Sequence, residues 1–394
     1  MADLYSIEKK FKELFNETPL LLRSPGRINL IGEHTDYNMG FVLPGAIDRA
    51  IYFAITPRND KLCKIYAYDL NDNYEFSVNE IQHSEKGWPN YLIGIVDQLN
   101  QLGYNINGFN LVFGGDIPIG AGLSSSAALE AGLAYALNSI YDLKISKLDL
   151  VKLSQKSENE FVGVKCGIMD QYINIFGEQN KLLKIDCRTL EYEYEPFEFN
   201  NIAIVLFNTG VSHSLASSEY NLRRKECKVG VEIVRKDFPE INSLRDVSLE
   251  ILNEYKNKMT NKIFNRCKYV IEENDRLLKA CDALKKKDLT TLGNLLYQTH
   301  EGLSKDYEVS CEELDYLVDL TKEHSSIYGA RMMGGGFGGC TINLIEKDAV
   351  DYVCNLFSKK YKEKFGIELK YYVTSISNGT NFQNIYENEK LRTK

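Results

Sequence analysis

The sequence predicts an α+β protein of two domains sharing a cleft. Three observations carry this. The chain has 394 residues, more than one hydrophobic core ordinarily serves. Helical and strand-like patterns alternate irregularly, without the repeating strand–helix unit of a doubly wound sheet. Near residue 199 an acidic, aromatic stretch gives way to the apolar run Ala203 to Phe207 and then to long helices, so domains 1–198 and 199–394 are expected.

The elements follow in order. Ile7, Phe11 and Leu14/Phe15 recur at helical spacing and predict a helix over Tyr5 to Phe15. Ser24, Pro25 and Gly26 predict a loop; Ala46 to Thr56 and Lys61 to Asp69, rich in Ile, Tyr and Phe, predict strands. Tyr91 to Leu102 reads as a helix, Phe109 to Phe113 as a strand, and Ser124 to Leu137 as a helix with Leu129, Leu133 and Leu137 on one stripe. Ser146 opens another helix, with Asp149 completing a capping box. Leu182 to Asp186 is strand-like. In the second half, Ile263 to Leu284 predicts a helix with Ile263, Cys267, Ile271 and Leu278 on its buried side, and strands are expected around Thr341 to Ile345 and Leu369 to Val373.

Composition narrows the function. Lys and Arg total 47 against 55 Asp and Glu, a net charge of −8, and such an acidic surface repels nucleic-acid phosphates and anionic lipid. Nine scattered cysteines with no CxxC pair support neither a disulfide framework nor a zinc site. The N-terminal residues lack the apolar stretch of a signal peptide, and no run of about 18 apolar residues occurs, so a cytoplasmic, membrane-free protein is expected.

Four segments carry chemistry. Gly114 to Ser126 links a strand to a helix through Gly120-Ala121-Gly122-Leu123-Ser124-Ser125-Ser126, where small residues and a helix N-terminus can receive an anion; an ordinary glycine turn with a serine N-cap reads equally well from these residues alone. A Walker A loop would end in Gly-Lys-Ser/Thr, yet residues 87–143 contain no Lys or Arg, and Ser125 holds the third glycine's place of a dinucleotide fingerprint. Phosphate charge must therefore be met by backbone dipoles, a divalent cation and basic residues from elsewhere.

Ser24 to Gly40 crowds Arg27, Asn29, Glu33, His34, Asp36 and Asn38 into one glycine-punctuated stretch, a density of hydrogen-bonding groups that suits a polyhydroxylated ligand; a metal held by Glu33, His34 and Asp36 is the alternative. In Cys166-Gly167-Ile168-Met169-Asp170-Gln171 a single acid, Asp170, follows a glycine, and helix N-cap and catalytic base are both open readings. Glu158 lies upstream, a solvent-facing charge by default. Met332 to Gly339 contains GxGxxG, but it opens onto a strand.

Taken together these segments resemble the galactokinases of the GHMP small-molecule kinase superfamily. GRINLIGEHTDYNMGFVLPGAI (26–47) is similar to the galactokinase signature, PIGAGLSSSAALE (118–130) to the superfamily's ATP motif, and MMGGGFGGC (332–340) to its C-terminal glycine motif; CGIMDQ, LLKIDCRTLE and HSLASSEYNLRR match in order. The resemblance implies a ribosomal protein S5 domain 2-like N-terminal domain and a ferredoxin-like C-terminal domain, with the active site in the cleft between them. It implies that Gly120, Ala121, Gly122, Leu123, Ser124, Ser125 and Ser126 hold ATP phosphates, that Ser126 and Glu158 ligate Mg²⁺, and that Glu33, His34, Thr35, Asp36, Gly167 and Tyr220 bind galactose. Asp170 would be the catalytic acid/base and Arg27 its charged partner, in a monomer with no nucleic-acid or membrane partner. Ser24 and Met333 depart from the family's usual Ala and Thr. Because phosphoryl transfer passes through a loose transition state, orienting the C1 hydroxyl and stabilising charge can outweigh base strength. An N-acetylgalactosamine kinase and a non-catalytic galactose sensor are the alternatives, the second weakened by the intact serine loop.

Overall fold

The computed structural model describes residues 2–118, 120–212 and 216–383. In chain order the first part comprises α1 (Leu4–Phe15), β1 (Leu20–Asn29), β2 (Phe41–Val42), β3 (Pro44–Pro57), β4 (Leu62–Ala67), β5 (Asp72–Ser77), α2 (Asn90–Gln101), β6 (Phe109–Gly115), α3 (Ser125–Ile140), α4 (Lys147–Lys156), α5 (Met169–Phe176), β7 (Lys181–Asp186) and β8 (Tyr192–Pro196). The second part comprises β9 (Ile202–Ser212), α6 (Ala216–Arg235), α7 (Leu249–Glu254), α8 (Asn261–Lys285), α9 (Leu289–Glu301), α10 (Glu312–Thr321), β10 (Ile327–Met333), β11 (Gly338–Glu346), α11 (Val350–Phe365), β12 (Lys370–Thr374) and β13 (Asn381–Phe382).

The first lobe is built on a six-stranded sheet ordered β13-β1-β3-β6-β4-β5, antiparallel except for β4 and β6. Period-two alternation explains its two buried faces. Leu21, Ala54 and Val112 pack under α1 with Ile7 and Phe11, while Leu22, Phe53, Leu111 and Phe113 face the helices on the other side. A smaller sheet, β2-β7-β8, flanks it.

In the second lobe β9, β10, β11 and β12 form an antiparallel sheet ordered β10-β11-β9-β12, with helices between β9 and β10 and between β11 and β12. One face, with Ala203, Val205, Phe207 and Ile345, meets Phe357 and Val353 of α11. The other sends Ile204, Leu206, Ile342 and Leu344 into the same apolar cluster that holds Leu22, Phe53 and Leu277, so one core runs through both lobes. The chain then crosses back: Leu22 and Arg23 pair with Phe382 and Asn381 in β13, so the end of the chain completes the first sheet. No described helix is long and apolar enough to cross a membrane.

Three expectations are corrected. Ser24 to Gly26 is no loop but the middle of β1, with Ser24 and Pro25 opposite Ile51 and Ala50; a bulge between Pro25 and Arg27 accommodates the proline, which has no ladder donor. Ser146 caps α4 by accepting from the Asp149 amide at 3.2 Å, but its hydroxyl donates to the Asp149 carboxylate at 2.7 Å, so Asp149 serves the cap's side chain. On α8, Leu278 is 39% exposed and Leu277 fully buried. The buried stripe rotates because Cys267, Val270 and Ile271 face the second lobe's own cluster, whereas Leu277, Ala280, Cys281 and Leu284 face the shared core. Leu277→Ala is expected to cost about 2–5 kcal/mol and Leu278→Ala no more than about 0.5 kcal/mol, measured by urea denaturation.

Candidate active site

The β1 bulge directs Arg27 inward, where its side chain is buried and holds three segments together. Nε and Nη2 each donate to one oxygen of Asp170 at 2.8 Å, a bidentate pair. Nη1 donates to the Gly122 carbonyl, and the Arg27 amide to Leu123 O at 3.1 Å. Burial opposes the guanidinium charge, but the Asp170 carboxylate overcomes that and raises the Arg27 pKa. Asp170 lies in the first turn of α5 and is not its N-cap, which is Ile168.

Between β6 and α3, Gly120, Gly122 and Ser124 all adopt left-handed conformations (φ 76°, 70° and 59°), while Ala121 and Leu123 are buried between them. The two glycines take this conformation without penalty. Ser124 makes no side-chain cap to α3; its hydroxyl goes instead to Asp170 Oδ2. The first-turn amides of α3 thus lack a side-chain cap and can receive an anion.

A cavity of ≈ 440 Å³ opens beside Asp170, and both lobes line it. The first contributes Arg27, Glu33, His34, Asp36, Cys166, Gly167 and Asp170; the second contributes Tyr220, Asn221 and Gly334 to Gly336. Residues 120–126 do not line it but adjoin it through Arg27 and Ser124. Glu33 Oε1 accepts from Arg331 Nη2 at 3.1 Å and from the Gly334 amide at 2.9 Å. His34 is held at φ 62°, its Nδ1 2.7 Å from Tyr37 Oη, with the Tyr220 and Tyr307 rings 5.4 and 5.0 Å away. Burial pushes its pKa down to about 4, so the ring is neutral at physiological pH. A Cβ at Gly167 would come within 1.8 Å of Asp36 Oδ2, so a larger residue there would displace the Asp36 carboxylate. Thr35, expected among the sugar contacts, lies outside the cavity, and its buried hydroxyl is engaged with the carbonyls of Gly32 (2.9 Å) and Phe41 (2.5 Å). The alternative metal trio is unsupported: Glu33 is committed to Arg331 and His34 to Tyr37, and the described residues include no group of three or more metal-ligating side chains.

Glu158 is buried, contrary to its default reading, on a π-helical turn (Ser157–Val162) that continues α4. Its Oε2 accepts from Gln171 Nε2 at 2.7 Å and from the Cys166 thiol at 3.2 Å, and the Ser126 hydroxyl also hydrogen-bonds the carboxylate. Burial raises the pKa of Glu158, and burial together with the Glu158 charge pushes Glu130 well up. The oxygens of Glu158 and Ser126 are of the kind that would suit a hard divalent ion.

Sequence reasoning missed Arg331, Tyr37, Tyr307, Gln171 and Glu130. An arginine inside the apolar strand pattern of Ile327 to Met333 was the available signal for Arg331; Tyr307 has none in its own neighbourhood.

Asp36 has a pKa raised to about 6, first by burial and then by the Asp170 and Glu33 charges, against the opposing Tyr37 amide. Between about pH 4 and pH 6 the folded chain therefore holds a proton that the unfolded chain releases, so stability falls as pH rises through that window and stays lower above it. Asp36→Asn is expected to stabilise the ligand-free protein by about 1–3 kcal/mol at pH 8, with the gain fading below about pH 4, as measured by urea denaturation across pH.

The chain matches the family models "Galactokinase galactose-binding signature" at residues 9–57, "GHMP kinases N terminal domain" at 90–178 and "GHMP kinases C terminal" at 277–363. It is 40% identical to the galactokinase of Roseiflexus sp. (strain RS-1) over 96% of this chain and 97% of that one. It is 42% identical to the galactokinase of Thermosipho africanus over 91% and 98%. The crystal structure of Lactococcus lactis galactokinase complexed with galactose superposes with a TM-score of 0.92 at 36% identity, covering 96% of this chain and all of that one. Methanococcus jannaschii mevalonate kinase shares the fold at a TM-score of 0.65 and 20% identity. On the strength of these matches over nearly its whole length, the chain belongs to the galactokinase family and has the two-domain GHMP kinase fold.

Proposed function

We propose that this protein is an ATP-dependent sugar 1-kinase that transfers the γ-phosphoryl group of ATP to the C1 hydroxyl of α-D-galactose, giving galactose 1-phosphate and ADP. The observation that carries the reading is the placement of Asp170: it lines the cavity on one side and is bonded to the glycine–serine loop's Ser124 on the other. The Lactococcus relative's complex with galactose supports the choice of sugar.

In this reading Glu33, His34, Asp36 and Tyr220 bind the hexose, with Gly167 leaving room for Asp36. Asp170 receives the C1 hydroxyl. Held by two arginine nitrogens and a serine hydroxyl, it orients that oxygen and takes its proton as the bond to phosphorus forms. Arg27 offsets the charge gathered beside Asp170, and the amides of residues 120–126 with the α3 N-terminus carry the phosphates. Ser126 and Glu158 would hold Mg²⁺, which when bound neutralises phosphate charge that a lysine-free loop cannot. The strand order of the second-lobe sheet and its two helical crossovers support a ferredoxin-like C-terminal domain, with an S5 domain 2-like N-terminal domain before residue 199. Nine free cysteines support a cytoplasmic protein, and we take it to act as a monomer.

Coupled ADP release under MgATP tests the reaction: turnover is expected with galactose, and a product that has lost its reducing end places the phosphate at C1. Preference for N-acetylgalactosamine would replace the substrate, and tight binding of both ligands without ADP would replace catalysis by sensing. Asp170→Asn should lower kcat by about 10²–10⁴-fold with a smaller change in the galactose KM; turnover near the parent's would remove the carboxylate from the reaction.

A further inference from the structure

We propose that Tyr269, Glu273 and Asn274, polar side chains on one face of α8, position the loop that carries Glu33, His34 and Asp36, so that a helix of the second lobe sets how tightly the cavity holds its sugar. This rests on the reading that the cavity takes a sugar; the docking of the loop rests on distances.

Residues 30–40 lie between β1 and β2, outside any strand or α-helix, and Gly32 to Thr35 are buried. Buried backbone groups in such a segment must find partners elsewhere in the chain. Three groups of the loop and its exit find α8. The Gly32 amide donates to Glu273 Oε1 at 2.9 Å, the Glu33 carbonyl accepts from Tyr269 Oη at 3.1 Å, and the Phe41 amide donates to Asn274 Oδ1 at 2.9 Å. Positions 269, 273 and 277 follow one another at a turn's spacing, with 270 and 274 beside them, so the contacts fall on one stripe. The loop lies close against it: a Cβ at Gly32 would come within 2.6 Å of Leu277 Cδ1, and one at Gly40 within 2.4 Å of Asn274 Oδ1.

The stripe is itself held. Glu273 is fully buried, and its Oε2 accepts from Arg276 Nε at 2.7 Å and from the Thr299 hydroxyl of α9 at 2.9 Å. Asn274 Nδ2 donates to Val270 O at 3.0 Å, which keeps the amide oxygen toward Phe41. Tyr269 is fully buried, and the Arg276 guanidinium lies 5.5 Å from its ring centre. All three contacts to the loop go to backbone atoms, which leaves the side chains of Glu33, His34 and Asp36 to line the cavity. Tyr269, Glu273 and Asn274 do not line it and act through the loop, as positioning residues.

Two measurements test this, and neither needs turnover. Calorimetry gives the dissociation constants of galactose and MgATP, each titrated alone, and hydrogen exchange read by mass spectrometry follows residues 31–41 of the ligand-free protein. Tyr269→Phe, which removes one hydroxyl and keeps the ring, should weaken galactose about three- to tenfold with MgATP within about twofold. Glu273→Gln, which turns an N–H toward one of three donors, should weaken galactose further. In both, exchange should quicken in 31–41 and stay at the parent's rate in β9 and β11. Unchanged galactose affinity, or unchanged exchange in 31–41, in both variants overturns the proposal. So does a loss shared by galactose and MgATP with exchange quickened across both lobes, the result of a purely structural role. If Glu273→Gln does not fold, Tyr269→Phe decides alone. A parent that binds no galactose would overturn the proposed function, and exchange in 31–41 would still show whether α8 holds the loop.

Discussion

Arg27 and Asp170 form a partly buried ion pair on which the geometry of the site depends. Removing the carboxylate would leave the buried Arg27 charge without its counterion, at a cost of about 3–5 kcal/mol. The guanidinium joins the end of β1 to the glycine loop and to α5, three segments from different stretches of the chain. The carboxylate, fixed by Arg27 and Ser124, keeps its remaining lone pairs for the cavity. Charge compensation thereby does two things at once: it permits a carboxylate at a partly buried position and sets the distance between the loop and the cavity.

Arg331 plays the matching part from the other lobe. It is fully buried at the end of β10 and donates to the carbonyls of Leu30, Asn29 and Met332 as well as to Glu33. The segment that carries Glu33 is therefore fastened to the second lobe through Arg331. With one apolar core running behind the cleft, the two walls are held in fixed relation, and the site is largely preformed.

The sequence was most legible where chemistry depends on contiguous residues. The glycine–serine loop, the Arg27 to Asp36 stretch and Asp170 could each be read from local composition, and strands such as β9 from their apolar runs. Reading failed where a partner lies far along the chain. Pro25 looked like a turn because the strand it pairs with and the bulge that accommodates it are tertiary facts. Glu158 looked solvent-facing because Gln171, Cys166 and Ser126, which enclose it, come from other elements. Thr35 shares a motif with three cavity residues, yet its backbone turn sends its hydroxyl behind the loop. Tyr307 reaches the site through its ring beside His34 and its hydroxyl 2.8 Å from Tyr37 Oη, and neither contact leaves a trace in the residues next to it in sequence.

The return of β13 to β1 has a bearing on biosynthesis. Thr380 Oγ1 donates to Asn174 Oδ1 at 2.6 Å, and Asn174 in turn bonds Ser24 and the Pro25 carbonyl, immediately before the bulge that aims Arg27. A nascent chain emerging from the ribosome can form its early helices and hairpins, but it cannot knit this seam until β13 is free of the exit tunnel. Assembly of the seam is thereby tied to synthesis of β13, and a fragment that stopped short of it would lack the Thr380 bond to Asn174.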